Sequence, residues 1–182
     1  MSAKNFNDVY FDFVYNQGED IVNIDFPMIF FIYSGELIIE CKNKKIAARK
    51  GEAVFFRSGS TVCIRRNNCG TEIFCGIYIG FSKSILSDLH HTIACKKTYR
   101  PDYIDGDIVQ LPCVPCIQSL YISMVTYLEW GEKPSEYIVE LKQQEGIFSL
   151  LLVDEKFYNS LFGFVKKKQN FQYLFNINKL KN

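Results

Sequence analysis

A chain of 182 residues suits one domain, or one domain with an appendage. At 48% hydrophobic and 23% charged residues it can bury a real core, which excludes an intrinsically disordered chain. Lys and Arg number 21 against 20 Asp and Glu, so the basic surplus that a free-standing nucleic-acid binder sets against phosphates is missing.

Met1 to Phe13 holds no apolar run long enough for a signal-peptide core, and no stretch approaches the roughly 18 apolar residues that span a bilayer. The seven cysteines, Cys41, Cys63, Cys69, Cys75, Cys95, Cys113 and Cys116, are odd in number and mostly lie in apolar, strand-like runs. There a free thiol behaves as a small hydrophobe, whereas a disulfide framework would use an even count in a loop-rich chain. The expectation is a reducing cytoplasm and no membrane partner.

Short strands separated by turn signals come first: Val9–Val14, Ile21–Phe26, Met28–Tyr33, Glu36–Cys41, Lys44–Arg49, Ala53–Phe56, Thr61–Arg66 and Thr71–Ile79. Between them lie Ser34-Gly35, Lys42-Asn43, Lys50-Gly51, Ser58-Gly59 and Asn67 to Gly70, residues that tolerate turn dihedrals. Ile73, Cys75, Ile77 and Ile79 share one face of the last strand, and Leu37, Ile39 and Cys41, then Ile46 and Ala48, repeat the logic. These strands form a closed or nearly closed antiparallel unit.

After Gly80 the period changes. Ser82 caps a short helix near 82–91 that carries Ile85, Leu86 and Leu89. Cys95 to Gly106 is polar and irregular, and Asp107–Leu111 reads as a strand. Pro115 opens a long helix with Ile117, Leu120, Tyr121, Met124 and Leu128 on one face, closed by Gly131 and Pro134. A second long helix runs from Ser135 to about Leu152, and a third starts near Asp154 with Phe157, Leu161 and Phe164 on one side. The tail from Lys166 is basic and has no strong period.

Three stretches, taken in this order, carry a resemblance. Phe31-Ile32-Tyr33-Ser34-Gly35-Glu36-Leu37 is followed by Lys50-Gly51-Glu52-Ala53-Val54-Phe55-Phe56, a turn glycine and then a Gly-acid turn before an apolar strand. Ile77-Tyr78-Ile79-Gly80-Phe81 leads into the Ser-capped helix. Glu140-Leu141-Lys142 through Glu145-Gly146-Ile147-Phe148-Ser149-Leu150-Leu151-Leu152 precedes Phe157 and Leu161-Phe162. Over roughly residues 5–165 this resembles the N-terminal domain of AraC-type transcription regulators.

The resemblance implies an α+β fold, a cupin-like antiparallel β-barrel or jelly roll followed by a C-terminal helical segment. It divides the chain into a barrel at 1–112, a helical dimerisation segment at 113–165 and a linker at 166–182. It also implies a homodimer that senses an effector, either an apolar small molecule or a protein. DNA would be bound only through a C-terminal helix-turn-helix half of about a hundred residues, expected beyond Asn182. A stand-alone cupin-like enzyme and a protein-interaction module are the alternatives.

Catalytic chemistry finds little support in the residues. Cupin metal sites gather several histidines and a carboxylate, yet the hairpin from Gly35 to Gly51 has no histidine. His90 and His91 follow the barrel and are expected at a solvated helix end. Cys113-Val114-Pro115-Cys116 has no second Cys/His pair at zinc spacing, so two small residues packing a helix entry is the expectation. No catalytic residue, metal site or cofactor is expected. Lys166-Lys167-Lys168, near Phe171 and Tyr173, reads as linker.

Two surfaces remain as candidates. Leu37, Ile39, Ile46, Ile73, Cys75 and Ile77 are expected to point into the barrel as an apolar pocket wall, offering simple sugars few hydrogen bonds. In the second long helix Ile138, Leu141, Glu145, Phe148 and Leu152 follow the alternating three- and four-residue spacing of a helix-helix seam. Val139, Ile147, Leu150 and Leu151 make a second apolar face for the barrel. A helix apolar on two sides wants two neighbours, and the expected second neighbour is another subunit. The competing reading packs this helix between the first long helix and the barrel. Glu145 favours the seam, where a carboxylate reaches solvent, and Gly146 is expected to let another backbone approach.

Overall fold

The computed structural model describes residues 4–5, 11–94 and 104–163. The start of the first expected strand at Val9, Cys95, Phe164 and the expected linker 166–182 lie outside these residues.

The strands are β1 (Lys4–Asn5), β2 (Phe11–Tyr15), β3 (Gly18–Ile24), β4 (Met28–Ser34) and β5 (Glu36–Cys41). They continue with β6 (Lys44–Arg49), β7 (Ala53–Phe56), β8 (Ser60–Asn67), β9 (Cys75–Gly80) and β10 (Ile108–Leu111). The helices are α1 (Lys83–Ala94), α2 (Pro115–Trp130) and α3 (Glu136–Val153), followed by helical residues 157–163, here α4.

Two five-stranded sheets face each other, in the orders β1-β3-β8-β5-β6 and β10-β7-β4-β9-β2. Among the described residues every pairing is antiparallel except β1 with β3. With the helices on the far side of the second sheet, the expected α+β class with a cupin-like barrel is the observed fold.

The sheets hold two cores. Between them lie Val22, Ile24, Leu37, Ile39, Val62 and Ile64 from the first sheet, and Met28, Phe30, Val54, Phe56 and Tyr78 from the second. On the other side of the second sheet, Ile29, Phe31, Phe55, Ile77 and Ile79 meet Ile117, Leu120, Met124, Ile147 and Leu150 of α2 and α3. This is the three-layer answer to a sheet that is apolar on both faces.

Strand ends moved where charge overrides hydrophobicity. β3 begins at Gly18, because Glu19 and Asp20 pair across the register with Arg65 and Arg66 of β8. β9 begins only at Cys75; Thr71 to Phe74 lead into it after a small turn closed by Cys69 and Glu72.

The helix signals act as their chemistry requires. The Ile85 amide donates to the Ser82 hydroxyl at 3.3 Å, and Pro115 occupies the first turn of α2. Gly131 ends α2 in the left-handed region at φ 69°, where its amide and that of Glu132 donate to the Leu128 and Tyr127 carbonyls.

Candidate functional site

β9 decides what the barrel interior is. Cys75, Ile77 and Ile79 turn toward the helices, while Phe74 and Tyr78 turn into the barrel. The six expected pocket residues therefore do not make one wall. Leu37, Ile39 and Ile46 line the interior, Cys75 and Ile77 lie on the opposite face of the second sheet, and Ile73 precedes the strand with 65% of its surface exposed. Alternation put Cys75 and Ile77 on one face, with Ile73 outside the strand, but both faces of β9 are buried, so the period could not say which one looks inward.

Aromatic rings occupy the interior. Phe30 packs on Phe56, Phe74 and Tyr78 with ring centroids 6.3–6.5 Å apart. Gly76 permits this, since a Cβ there would overlap the Phe30 ring; Gly80 does the same for Phe26. Burial pushes the Tyr78 hydroxyl's pKa up and raises that of Cys75 to about 11, so this thiol packs as a neutral side chain.

Gln143 and Gly146 fix the seat of α3 on the barrel. The buried Gln143 donates from Nε2 to the Gly80 carbonyl at 2.5 Å. A Cβ on Gly146 would lie 3.0 Å from the Phe81 ring, so this glycine admits the chain's own phenylalanine and not the backbone of another subunit. Ile147 and Leu150 are buried, with Val139 and Leu151 packed beside them.

The opposite face of α3 is uncovered. Leu141 is 57% exposed, Phe148 44% and Leu152 77%, while Ile138 and Glu145 are half-buried. Glu145 accepts an ion pair from Lys142 at 2.8 Å. Of the five residues expected in a seam, Leu141, Phe148 and Leu152 thus lie on the side of α3 that is open to solvent and Ile138 and Glu145 lie at its border, while the helix packs against α2 with its other side.

His90 and Asp107 were read otherwise from sequence, and of the two cysteines expected to pack the entry of α2, Cys116 does so and Cys113 does not. His90 is 6% exposed and packs against the rings of Tyr158 and Phe162 at 5.9 and 5.7 Å, so it is a core residue and not a solvated helix end; His91 is the exposed one. Asp107, expected as the first residue of a strand, is a buried electrostatic clasp. It receives Lys42 at 2.7 Å on one oxygen and Arg57 on the other, and the Lys42 contact first of all holds its carboxyl below the usual range. Cys116 joins α2 to α3, its thiol donating to the Ser149 carbonyl at 3.8 Å, while Cys113 is exposed.

A cleft of about 380 Å³ opens at one end of the barrel. Arg57 and Lys83 stand in its wall with Asp25, and Phe26, Pro27, Leu86 and Leu161 supply apolar surface. Neither composition nor period pointed to it, because its residues come from two strand turns, α1 and α4. Among the described residues no group of three or more His, Cys, Asp or Glu side chains is placed to hold a metal ion.

The architecture has known relatives. The family model described as ExsA N-terminal regulatory domain matches residues 27–164. The chain belongs to this family. The ExsA-type regulatory domain is an AraC-type regulator's N-terminal domain, in agreement with the resemblance carried by the three sequence stretches.

Among solved structures this ExsA-type domain is similar to apo ToxT K231A from Vibrio cholerae strain SCE256. That match has a TM-score of 0.56 and 18% identity, over 86% of this chain and 59% of that one. A second crystal form of Vibrio cholerae ToxT matches with a TM-score of 0.52 and 16% identity, over 85% of this chain and 59% of that one. The chain thus spans about three-fifths of ToxT's length. No curated protein sequence matches it significantly. No helix among the described residues is long and apolar enough to cross a membrane.

Proposed function

We propose that this regulatory domain works as the dimerisation and signal-receiving half of a cytoplasmic AraC-type transcription factor, with DNA bound by a separate domain. The observation that carries the dimer is the open face of α3. Leu141, Phe148 and Leu152 expose large apolar side chains in one row, flanked by Ile138 and the paired Glu145. Three such side chains on a rigid helix lose apolar surface to water only if another surface covers them, and a second copy offers the same row in a symmetric arrangement. The near-zero formal charge of +1 supports leaving DNA contact to another domain.

The regulatory family and the chemistry of the residues support a non-catalytic role. The hairpin from Gly35 to Gly51 carries no histidine, and its inward side chains Leu37, Ile39, Ile46 and Ala48 are apolar. A protein-interaction module remains the second reading of the same open face, since a different protein would cover those apolar side chains equally well.

Sedimentation of the Leu141→Asp, Phe148→Asp double variant tests the dimer. Leu141 is 57% and Phe148 44% exposed, so the carboxylates can reach solvent in the single subunit, whereas facing carboxylates in a seam repel and desolvate. The expected result is a folded monomer beside a dimeric wild type. An unfolded variant would assign the row to the domain's own core, and a dimeric one would place the interface elsewhere.

A further inference from the structure

Of the two cysteines at the entry of α2, Cys116 packs there and Cys113 stands in solvent. We infer that Cys113 and Cys116 form a redox-responsive dithiol, which bridges under oxidising conditions and in doing so lengthens α2 and loosens its contact with α3. The pair gives the domain an input of its own, and it stands whether or not the open face of α3 makes a dimer.

Position argues first. The pair is spaced C-x-x-C, with Pro115 in the first turn of α2 and Cys116 directly after it. Cys113 is exposed and Cys116 half-buried, which suits the two roles a dithiol needs: one sulfur meets the oxidant and the other, sheltered, resolves the product. The other described cysteines lack this arrangement. Burial first of all pushes the thiols of Cys41, Cys63 and Cys75 up, and Cys69, although exposed, has no cysteine at C-x-x-C spacing. In a reducing compartment such a pair rests as two thiols and bridges transiently.

Geometry argues second. Val114, between the two, is extended at φ −117° and ψ 156°, and its amide donates to the Pro112 carbonyl at 3.0 Å. Residues three apart in a helix hold their Cβ atoms about 5–6 Å from each other, near the span of a disulfide. An extended residue between them holds them farther apart. Bridging therefore requires Val114 to turn helical, which adds a residue to the start of α2 and gives up the Pro112 contact. A residue before proline resists that conformation. The bridge thus carries strain and stays open to reduction by a thiol pool, the property that separates a switch from a permanent cross-link.

Coupling argues third. The Cys116 thiol donates to the Ser149 carbonyl of α3 at 3.8 Å, and the hydroxyl of the buried Ser149 donates back to the Cys116 carbonyl at 3.5 Å. A disulfide sulfur has no proton to donate, so oxidation cancels the first of these contacts. Ser149 directly follows Phe148, so the loss falls beside the exposed row of α3.

The oxidant is a small-molecule disulfide such as oxidised glutathione. The Cys113 thiolate attacks one of its sulfurs and releases one glutathione thiolate. The Cys116 thiolate then attacks the Cys113 sulfur of the mixed disulfide and releases the second. Two thiols of the chain lose two protons and two electrons, and the small disulfide gains them as two thiols.

The test equilibrates the full chain across a series of reduced-to-oxidised glutathione ratios, followed by peptide mass mapping and backbone amide resonances. A Cys113–Cys116 bridge, lighter by the two thiol hydrogens, is expected. Excess reduced glutathione should reverse it, and shifts should appear at Val114, Cys116, Phe148 and Ser149. Cys113→Ser changes an exposed side chain and should keep the reduced spectrum at those four residues at every ratio. Val114→Gly should raise the equilibrium constant for bridging severalfold, because glycine enters the helical turn with less hindrance. No bridge at the most oxidising ratio, a mixed disulfide that stops at Cys113, or a bridge made chiefly to another cysteine or another chain would each overturn the inference. So would a bridge without shifts at Ser149, or an unchanged or lower constant in Val114→Gly.

Discussion

The two sheets are built from similar numbers of residues and obey different sequence rules. In the outer sheet, β6 and β8 alternate buried with exposed positions, and their outward side chains form ion pairs such as Glu19 with Arg65 and Glu40 with Lys45. In the inner sheet, β7 and β9 are buried at every position and β4 at its first five. One face solvated gives period two, whereas two faces covered gives a continuous apolar run. The difference teaches where each kind of damage should hurt.

The inner sheet should be the fragile one. Phe31 is fully buried on its helix side, stacked on Tyr121 with ring centroids 5.6 Å apart. Phe31→Ala removes both the burial and the stack that ties the sheet to α2, and should cost about 3–5 kcal/mol of stability in urea denaturation. A cost under about 1 kcal/mol would mean that the sheet and the helices are not one cooperative core.

Asp107 links the sheets at their border and should give an intermediate effect. It sits just before β10 of the inner sheet, while Lys42 belongs to the hairpin turn of the outer one. Its pKa is held down by Lys42 and Arg57, so its contribution is present above the unfolded carboxylate pKa and is lost as pH falls through the lower folded value. Asp107→Asn should therefore cost about 1–2 kcal/mol near neutral pH, where its exposed cationic partner limits the loss. The difference from wild type should shrink from about pH 4 downward, the region of the unfolded carboxylate. A difference that stays constant between pH 7 and pH 3 would contradict the clasp.

The outer face of the outer sheet should be the most tolerant. Glu19 is held ionised chiefly by its hydrogen bond from Arg65, yet the pair is open to solvent and to screening ions. Glu19→Gln should leave the urea midpoint nearly unchanged at low salt and indistinguishable from wild type at high salt. A large shift would show that this ladder stabilises the sheet as the inner core does.

The same contrast explains what could be read in advance. β5, β6 and β7 were found at their observed ends, because Gly35, Gly51 and the Lys42-Asn43 turn interrupt short apolar runs. The two apolar sides of α3 were visible because a helix repeats every 3.6 residues, so its two apolar sets fall on separate sides. The cleft was invisible, since Arg57, Lys83 and Ser160 are far apart in the chain and none belongs to a local pattern.

By itself, then, the sequence determined the order and ends of most elements, the caps of α1 and α2, and the two apolar sides of α3. These depend on dihedral preference, hydrogen-bond capping and periodicity, all of which act over a few residues. The tertiary structure alone decided that Ile77 faces the helices while Tyr78 enters the barrel, that His90 is buried, and that Gly146 receives Phe81. Each of these turns on which of two apolar faces meets which neighbour. Residues distant in the chain settle that choice, through shape and the filling of space, to which no local period is sensitive.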